Sequence, residues 1–184
     1  MELYLVRHAQ TTFNVQKKIA GSFFDVELTD LGRTQTKLIS DRIKDVNFDL
    51  VLCSPLKRTR ETLQIILGAN PNLNIIFEKD LQERDWGSAS GMFHKDVDFE
   101  NLPLDSEDIK VFKNRIIKIF EKYYDKNKNS KVLVITHSGV IRTILESFFP
   151  GVDLRIPNVS LTVFKFSIDG NHRLILEPCN NHLN

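Results

Sequence analysis

Residues 3–14 read LYLVRHAQTTFN. An apolar run, Leu3 to Val6, ends abruptly at Arg7 and His8, and a string of small polar residues follows. Consecutive apolar side chains in so short a run predict a strand buried on both faces, the kind found in parallel sheets covered by helices. An arginine and a histidine at the end of such a strand need a reason to be there, because both residue types otherwise prefer the surface.

The same pattern recurs along the chain. FDLVLCS (Phe48 to Ser54), NIIF (Asn74 to Phe77) and KVLVITH (Lys131 to His137) are further short apolar runs. Between them lie segments of helical spacing. LTDLGRTQTKLISDRIKD places Leu31, Leu38, Ile39 and Ile43 on one stripe, and SEDIKVFKNRIIKIFEKYY does so with Ile109, Phe112, Ile116, Ile117 and Phe120. Two shorter helical segments, KRTRETLQIIL and GVIRTILESFF, directly follow the second and fourth runs. At the end of the chain, SLTVFKFSI and HRLILEPC flank a tight turn at Asp169 and Gly170, which predicts an antiparallel hairpin. The order predicts an α/β fold: a three-layer α/β/α domain with a mostly parallel central sheet and an antiparallel edge strand. Nothing rich in Pro, Gly or Ser divides the chain, so one domain is expected over residues 1–184.

Composition narrows the function. With 184 residues, 41% of them hydrophobic, the chain can bury a substantial core. Its 25 basic and 24 acidic residues leave a formal charge of +1, so no general field draws it to nucleic acid or to an anionic membrane. No apolar run approaches the roughly 20 residues that span a bilayer, and the first residues are too short and too charged for a secretory signal. A cytoplasmic protein is expected, with Cys53 and Cys179 reduced and too far apart in sequence to suggest a metal cluster.

In a parallel α/β sheet the ligand crevice lies beyond the carboxyl ends of the strands. The first strand delivers Arg7 and His8 there. The second delivers Ser54 and, four residues on in the first turn of a helix, Arg58; the fourth delivers His137, with Ser138 and Gly139 opening another helix. Two arginines, two histidines and two helix N-termini at one sheet edge suit a small, highly charged anion, phosphate first of all. Taken singly, Arg7 reads as a surface ion-pair residue and His137 as a hydrogen-bonded core histidine. Their joint placement shifts the weight. Position alone promotes Arg58 over Lys57 and Arg60 of the same basic run.

At these residues the sequence resembles the histidine phosphatase superfamily, which includes the cofactor-dependent phosphoglycerate mutases. RHAQTTFN is similar to the family's opening signature, with Ala9 where glycine is usual, and SPLKRTRET to its second block. LQERDWGSASG resembles the block with the acidic residue, at Glu83, and VITHSG the block with the second histidine. Gly21, Asp25, LTDLG, NVSLTVF and the closing NNHL extend the likeness along the chain. The resemblance implies that His8 is the nucleophile and forms a phosphohistidine, with its other ring nitrogen held by an acceptor. Arg7, Arg58 and His137 would grip the non-bridging oxygens, and Glu83 would be the general acid and base. Asn14, Ser138, Gln10, Thr11 and Gly21 complete the expected substrate-binding set.

The expected activity is a metal-independent phosphomonoesterase acting on a small phosphorylated metabolite, such as a sugar phosphate or alpha-ribazole phosphate. Neither metal nor organic cofactor is expected, and the partners exclude nucleic acid and membrane; the chain would act as a monomer or a homodimer. Family mutases carry a longer insertion after the acidic block, whereas Gly91 to Ser106 is short and acidic here and leaves water as the acceptor. Arg84 and Lys95 keep a phosphoglycerate mutase as the alternative, alongside a non-catalytic phospho-ligand binding module. Trp86 reads equally as a neighbour of Glu83 or as core. Phe13, Ile19, Phe23 and Phe24 read equally as substrate entrance or as packing. His94, His172 and His182 fall in expected loops or on a terminal strand, with no spacing that would give them a role.

Overall fold

The computed structural model describes residues 1–68 and 73–183. Its strands are β1 (Glu2–Arg7), β2 (Leu50–Cys53), β3 (Ile75–Phe77), β4 (Lys131–Thr136), β5 (Leu161–Lys165) and β6 (Arg173–Cys179), joined in one sheet of order β3-β2-β4-β1-β5-β6. β1, β2, β3 and β4 run parallel; β5 is antiparallel to β1, and β6 to β5. The hairpin turns where the sequence predicts, with Gly170 supplying a φ of 84°.

Side-chain alternation divides each central strand between two cores. On one face Leu3, Leu5, Leu52, Val132 and Val134 meet Phe112, Ile116 and Phe120 of α4 (Ile109–Asn127) and Ile141 and Ile144 of α5 (Ser138–Phe148). On the other, Val6, Val51, Leu133 and Ile135 meet Ile39 and Ile43 of α2 (Asp30–Ile43) and Leu63 and Ile66 of α3 (Lys57–Leu67). This is the expected three-layer arrangement, and a short helix α1 (Thr12–Gln16) follows β1. Among the described residues no helix is long and apolar enough to cross a membrane.

The helix stripes differ from the sequence reading in detail. α2 buries Gly32, Thr36, Ile39 and Ile43, while Leu31 and Leu38 are 54% and 41% exposed. Gly32 replaces Leu31 on the inner stripe because α2 touches the chain just beyond β1: a Cβ on Gly32 would lie 2.4 Å from the Gln10 carbonyl oxygen. Thr36 turns its hydroxyl back to the Gly32 carbonyl at 2.7 Å and so enters the core without an unsatisfied group. In α4 the exposed Ile109 and half-buried Ile117 give way to Ile119, and Asp108 caps the helix by accepting from the Lys110 and Val111 amides.

Strand order places the predicted crevice. β1 lies beside β4 and β4 beside β2, with Arg7 in register with Thr136 and Cys53 with Ile135. The residues that follow these three strands therefore emerge side by side, one strand spacing of about 4.8 Å apart. The chain leaves β1 toward the α2 face and β4 toward the α5 face, which opens the sheet edge between them.

Gly32→Ala should destabilise the fold. Alanine's helix propensity favours it by up to ~1 kcal/mol, but overlap with a backbone oxygen costs about 1–3 kcal/mol. A fall in the urea midpoint checks this, and a variant at least as stable as wild type would mean that the chain beyond β1 yields freely.

Candidate active site

His8 follows β1 and is 5% exposed; its amide still continues the ladder, donating to the Thr136 carbonyl at 2.8 Å. The imidazole Nδ1 lies 2.8 Å from the Ala9 carbonyl oxygen. A carbonyl only accepts, so Nδ1 carries the hydrogen and Nε2 keeps its lone pair. Burial, reinforced by the charges of Arg58 and Arg7, holds the ring's pKa well below the ordinary 6.5, so His8 is neutral. Ala9 is itself fully buried, and its amide donates to Thr62 Oγ1 of α3.

Arg58 is buried and Arg7 half-buried, both among neutral partners. Arg7 donates from Nη1 to the Ile156 carbonyl at 2.6 Å, while its buried Nε has no hydrogen-bond partner among the described residues. Arg58, 2% exposed in the first turn of α3, donates to the Phe24 carbonyl at 3.0 Å, the Gly21 carbonyl at 2.7 Å and His137 Nδ1 at 3.3 Å. Burial lowers the pKa of each to about 10, which leaves both charged at neutral pH.

His137 is fully buried with both ring nitrogens occupied. Nδ1 accepts from Arg58 Nε, so Nε2 carries the hydrogen and meets Ser54 Oγ at 2.8 Å. Burial, with Arg58 next in weight, keeps this ring neutral too. The His8 and His137 rings lie 5.3 Å apart between centroids. Where the resemblance implies direct contact with phosphate, the geometry here has His137 orienting Arg58.

Glu83 reaches the same place from the loop after β3. Its Oε1 accepts from the Arg84 amide and its Oε2 from the Gly139 amide, each at 3.0 Å, the second at the N-terminus of α5. A Cβ at position 139 would lie 2.1 Å from Oε1, so glycine is needed there for the carboxylate to reach the helix end. Two residues that sequence reasoning missed hold this loop. Arg115 of α4 pairs with both oxygens of Glu107 at 2.7 and 3.0 Å, and donates to the Gln82 and Glu83 carbonyls.

These groups border one cavity of about 710 Å³. Arg7, His8, Thr11, Asn14, Gly21, Arg58, Glu83 and Ser138 line it; His137 lies behind Arg58 and outside the lining. Gln10 is not brought in: its side-chain oxygen accepts from Thr29 Oγ1 at 2.8 Å, tying the loop to the cap of α2. Asn14 Oδ1 accepts from the Thr11 amide, Thr11 Oγ1 and Asn158 Nδ2, which leaves the amide NH2 without a partner among the described residues. Asn158, the first residue of the NVSLTVF segment, also donates to the His8 carbonyl at 3.0 Å.

The segment from Gly91 to Ser106 is ordered as one wall. Its start is hydrogen-bonded to residues 17–19, through Ile19 to Met92 and His94 to Lys17. Phe99 meets Trp86 edge-on at 5.6 Å and His94 at 4.5 Å. His94 and Trp86 therefore face the cavity, whereas His172 stacks on Phe166 and His182 sits beside Arg42. Of the entrance candidates, Ile19 lines the cavity; Phe13 packs on Phe24, and Phe23 is exposed. Lys95 lies outside this cavity and Arg84 within its wall. Sequence reasoning also missed Lys18, Lys113 and Arg142. Arg142 stands four residues after Ser138, the same spacing that pointed from Ser54 to Arg58.

The two buried histidines set a pH dependence of stability. Below pH 6.5 the unfolded chain binds protons that the folded chain refuses, so stability is full above pH 6.5 and falls as pH drops toward the lowered folded values. The slope should approach about 1.4 kcal/mol per pH unit for each histidine. Thermal melts in phosphate-free buffer between pH 7.5 and 5.5 should show the midpoint falling, and His8→Gln should flatten the slope. A midpoint insensitive to pH would contradict two neutral buried rings.

Comparison with known proteins gives this arrangement relatives. The family model described as histidine phosphatase superfamily (branch 1) matches residues 3–176. Phosphoglycerate mutase-like protein 4 of Arabidopsis thaliana is 32% identical over 92% of this chain and 81% of its own length. Phosphoserine phosphatase 1 of Hydrogenobacter thermophilus is 30% identical over 84% of this chain and 78% of its own. Among solved structures, YhfR of Bacillus stearothermophilus superposes with a TM-score of 0.89 at 22% identity, covering 100% of this chain and 99% of that one. The chain belongs to the histidine phosphatase superfamily.

Proposed function

We propose that the protein is a metal-independent phosphomonoesterase that hydrolyses a small phosphorylated metabolite through a phosphohistidine on His8. The observation that carries this reading is the neutral, Nδ1-protonated His8, whose Nε2 keeps its lone pair in a cavity lined also by Arg7 and Arg58. A pure phosphate binder has no use for an unprotonated nitrogen at that point. The phosphatase names among its relatives support the same class of reaction.

In the first step His8 Nε2 attacks phosphorus in line, the P–N bond forms as the ester P–O bond breaks, and Glu83 gives its proton to the leaving oxygen. In the second, water attacks the phosphohistidine, Glu83 takes the water's proton, and the P–N bond breaks to release phosphate. Charge in a loose phosphoryl transition state sits on the non-bridging oxygens. Arg7 and Arg58 offer fixed positive charge there, with the Asn14 amide and the Ser138 amide at the start of α5 as neutral donors. His137 and Ser54 hold Arg58 in place. Substrate-binding roles for Thr11, Gly21 and Ser138 belong to this proposal; for Gln10 the contact with Thr29 supports a structural role instead.

A second reading, transfer back to a substrate hydroxyl as in a mutase, draws on Arg84 in the cavity wall. The wall from Gly91 to Ser106 adds only His94 and Phe99 to the lining and supplies no further basic residue. Water is the better acceptor.

Phosphate release from a panel of phosphorylated metabolites and p-nitrophenyl phosphate, with a chelator present, tests the reading. Wild type should release phosphate and His8→Ala should lose at least a thousandfold; chelator-sensitive release or an active His8→Ala would overturn it. Gly139→Ala addresses the acid. Its Cβ must push Glu83 aside, so turnover of alkyl esters should fall ten- to a hundredfold while the activated aryl ester loses little. Equal losses on both would assign Glu83 a positional role.

A further inference from the structure

Beyond the reacting centre the cavity runs outward along α5. Ser138 and Gly139 stand at its inner end, Arg142 and Thr143 one turn further out, and Glu146 a turn beyond that. At a rise of ~1.5 Å per residue, Arg142 is displaced about 6 Å along the helix from the phosphoryl end. That is the span of about four or five covalent bonds in an extended carbon skeleton.

The cations of this outer half are engaged differently. Lys113 of α4 is paired with Glu146 at 3.2 Å, so the two cancel. Arg84 donates Nε to the Glu107 carbonyl at 2.9 Å and lies over the Trp86 ring. Lys18 lies over the Phe13 and Phe93 rings. Arg142 alone of these is exposed, and it has neither a carboxylate at ion-pair distance nor a hydrogen bond to a described residue. Its charge is close enough to Arg7 to lower that residue's pKa further. A third positive charge in a cavity that already holds Arg7 and Arg58 is unfavourable unless an anion of the ligand faces it.

We propose that the substrate carries a carboxylate a few bonds from its phosphoryl group, and that Arg142 receives this carboxylate. The inference rests on the phosphomonoesterase reading and names its substrate class. A guanidinium binds carboxylate through two parallel hydrogen bonds, and one carboxylate supplies the single negative charge that Arg142 lacks. The edge-to-face pair of Trp86 and Phe99 opposite gives a short carbon skeleton an apolar surface.

Steady-state kinetics on matched esters test this. O-phospho-L-serine and 3-phosphoglycerate carry the carboxylate; O-phosphoethanolamine and glycerol 3-phosphate lack it. Wild type should prefer the carboxylated pair by at least tenfold in kcat/KM. Arg142→Gln should remove most of that preference through KM, Arg142→Lys should keep part of it, and the loss on p-nitrophenyl phosphate should be at least tenfold smaller. The proposal fails if wild type shows no preference, if the preference survives in Arg142→Gln, or if p-nitrophenyl phosphate loses as much as the carboxylated esters. It also fails if a bisphosphorylated ester surpasses both carboxylated ones tenfold, which would assign Arg142 to a second phosphate. If wild type turns over no ester at all, the hydrolase reading falls. Titration calorimetry of 3-phosphoglycerate against glycerol 3-phosphate, in wild type and Arg142→Gln, then decides the carboxylate site by itself.

Discussion

Two guanidinium groups, Arg58 buried and Arg7 half-buried, line one cavity with no carboxylate at ion-pair distance among the described residues, and they form the constraint around which the site is built. Arg7 and Arg58 are desolvated enough to lower their pKa values to about 10, yet their hydrogen bonds go to the carbonyls of Ile156, Gly21 and Phe24 and to a neutral histidine. Carbonyl dipoles orient a cation without cancelling its charge. Glu83 is the acidic group that offsets both, and its two oxygens are tied to backbone amides and not to the arginines. The uncompensated charge remains for a ligand. Burial first, and this charge after it, keeps both histidines neutral, because a protonated ring would add a third charge to the same volume.

Holding cations in this way requires the surrounding loops to be fixed, and the chain does so at some strain. Val159 adopts φ 52°, a left-handed conformation that a β-branched residue avoids. From there its amide reaches the Arg7 carbonyl at 3.2 Å, while its neighbour Asn158 ties the His8 carbonyl to Asn14. The loop before β5 thus clamps the end of β1 from above. On the opposite side, the Arg115–Glu107 pair clamps the loop that carries Glu83. His8 and Glu83 are set by separate clamps, both anchored to rigid elements.

Most of the fold and the inner site was legible because parallel strands, apolar on both faces, announce their ends by the first polar residue. His8, Ser54 and His137 could be found from that transition alone, and Arg58 from its place one turn into the following helix. The stripe of α2 was read through Leu31 and Leu38 because periodicity registers apolar side chains and cannot register Gly32, whose contribution is the absence of one. Gln10 belongs to the opening signature, but its neighbour across the loop is the cap of α2, a tertiary contact that no local pattern encodes. The wall from Gly91 to Ser106 escaped for a similar reason. Its order comes from backbone bonds to residues 17–19, more than seventy positions earlier, and His94 looked idle until that pairing turned it inward.

Chemistry and selectivity occupy different parts of this architecture. Arg7 and His8 sit at the end of a strand whose register is fixed by the sheet, where a shift of one residue would reverse every side chain in the core. The outer half of the cavity is made from α4, α5 and two loops, and its exposed residues Arg142 and Glu146 stand clear of the core. Relatives bearing mutase-like and phosphatase names at about 30% identity are what such a division predicts. A fold does not by itself fix its substrate, and Arg142 and Glu146 stand on the exposed side of α5, where their identity is free of the core that positions the inner groups.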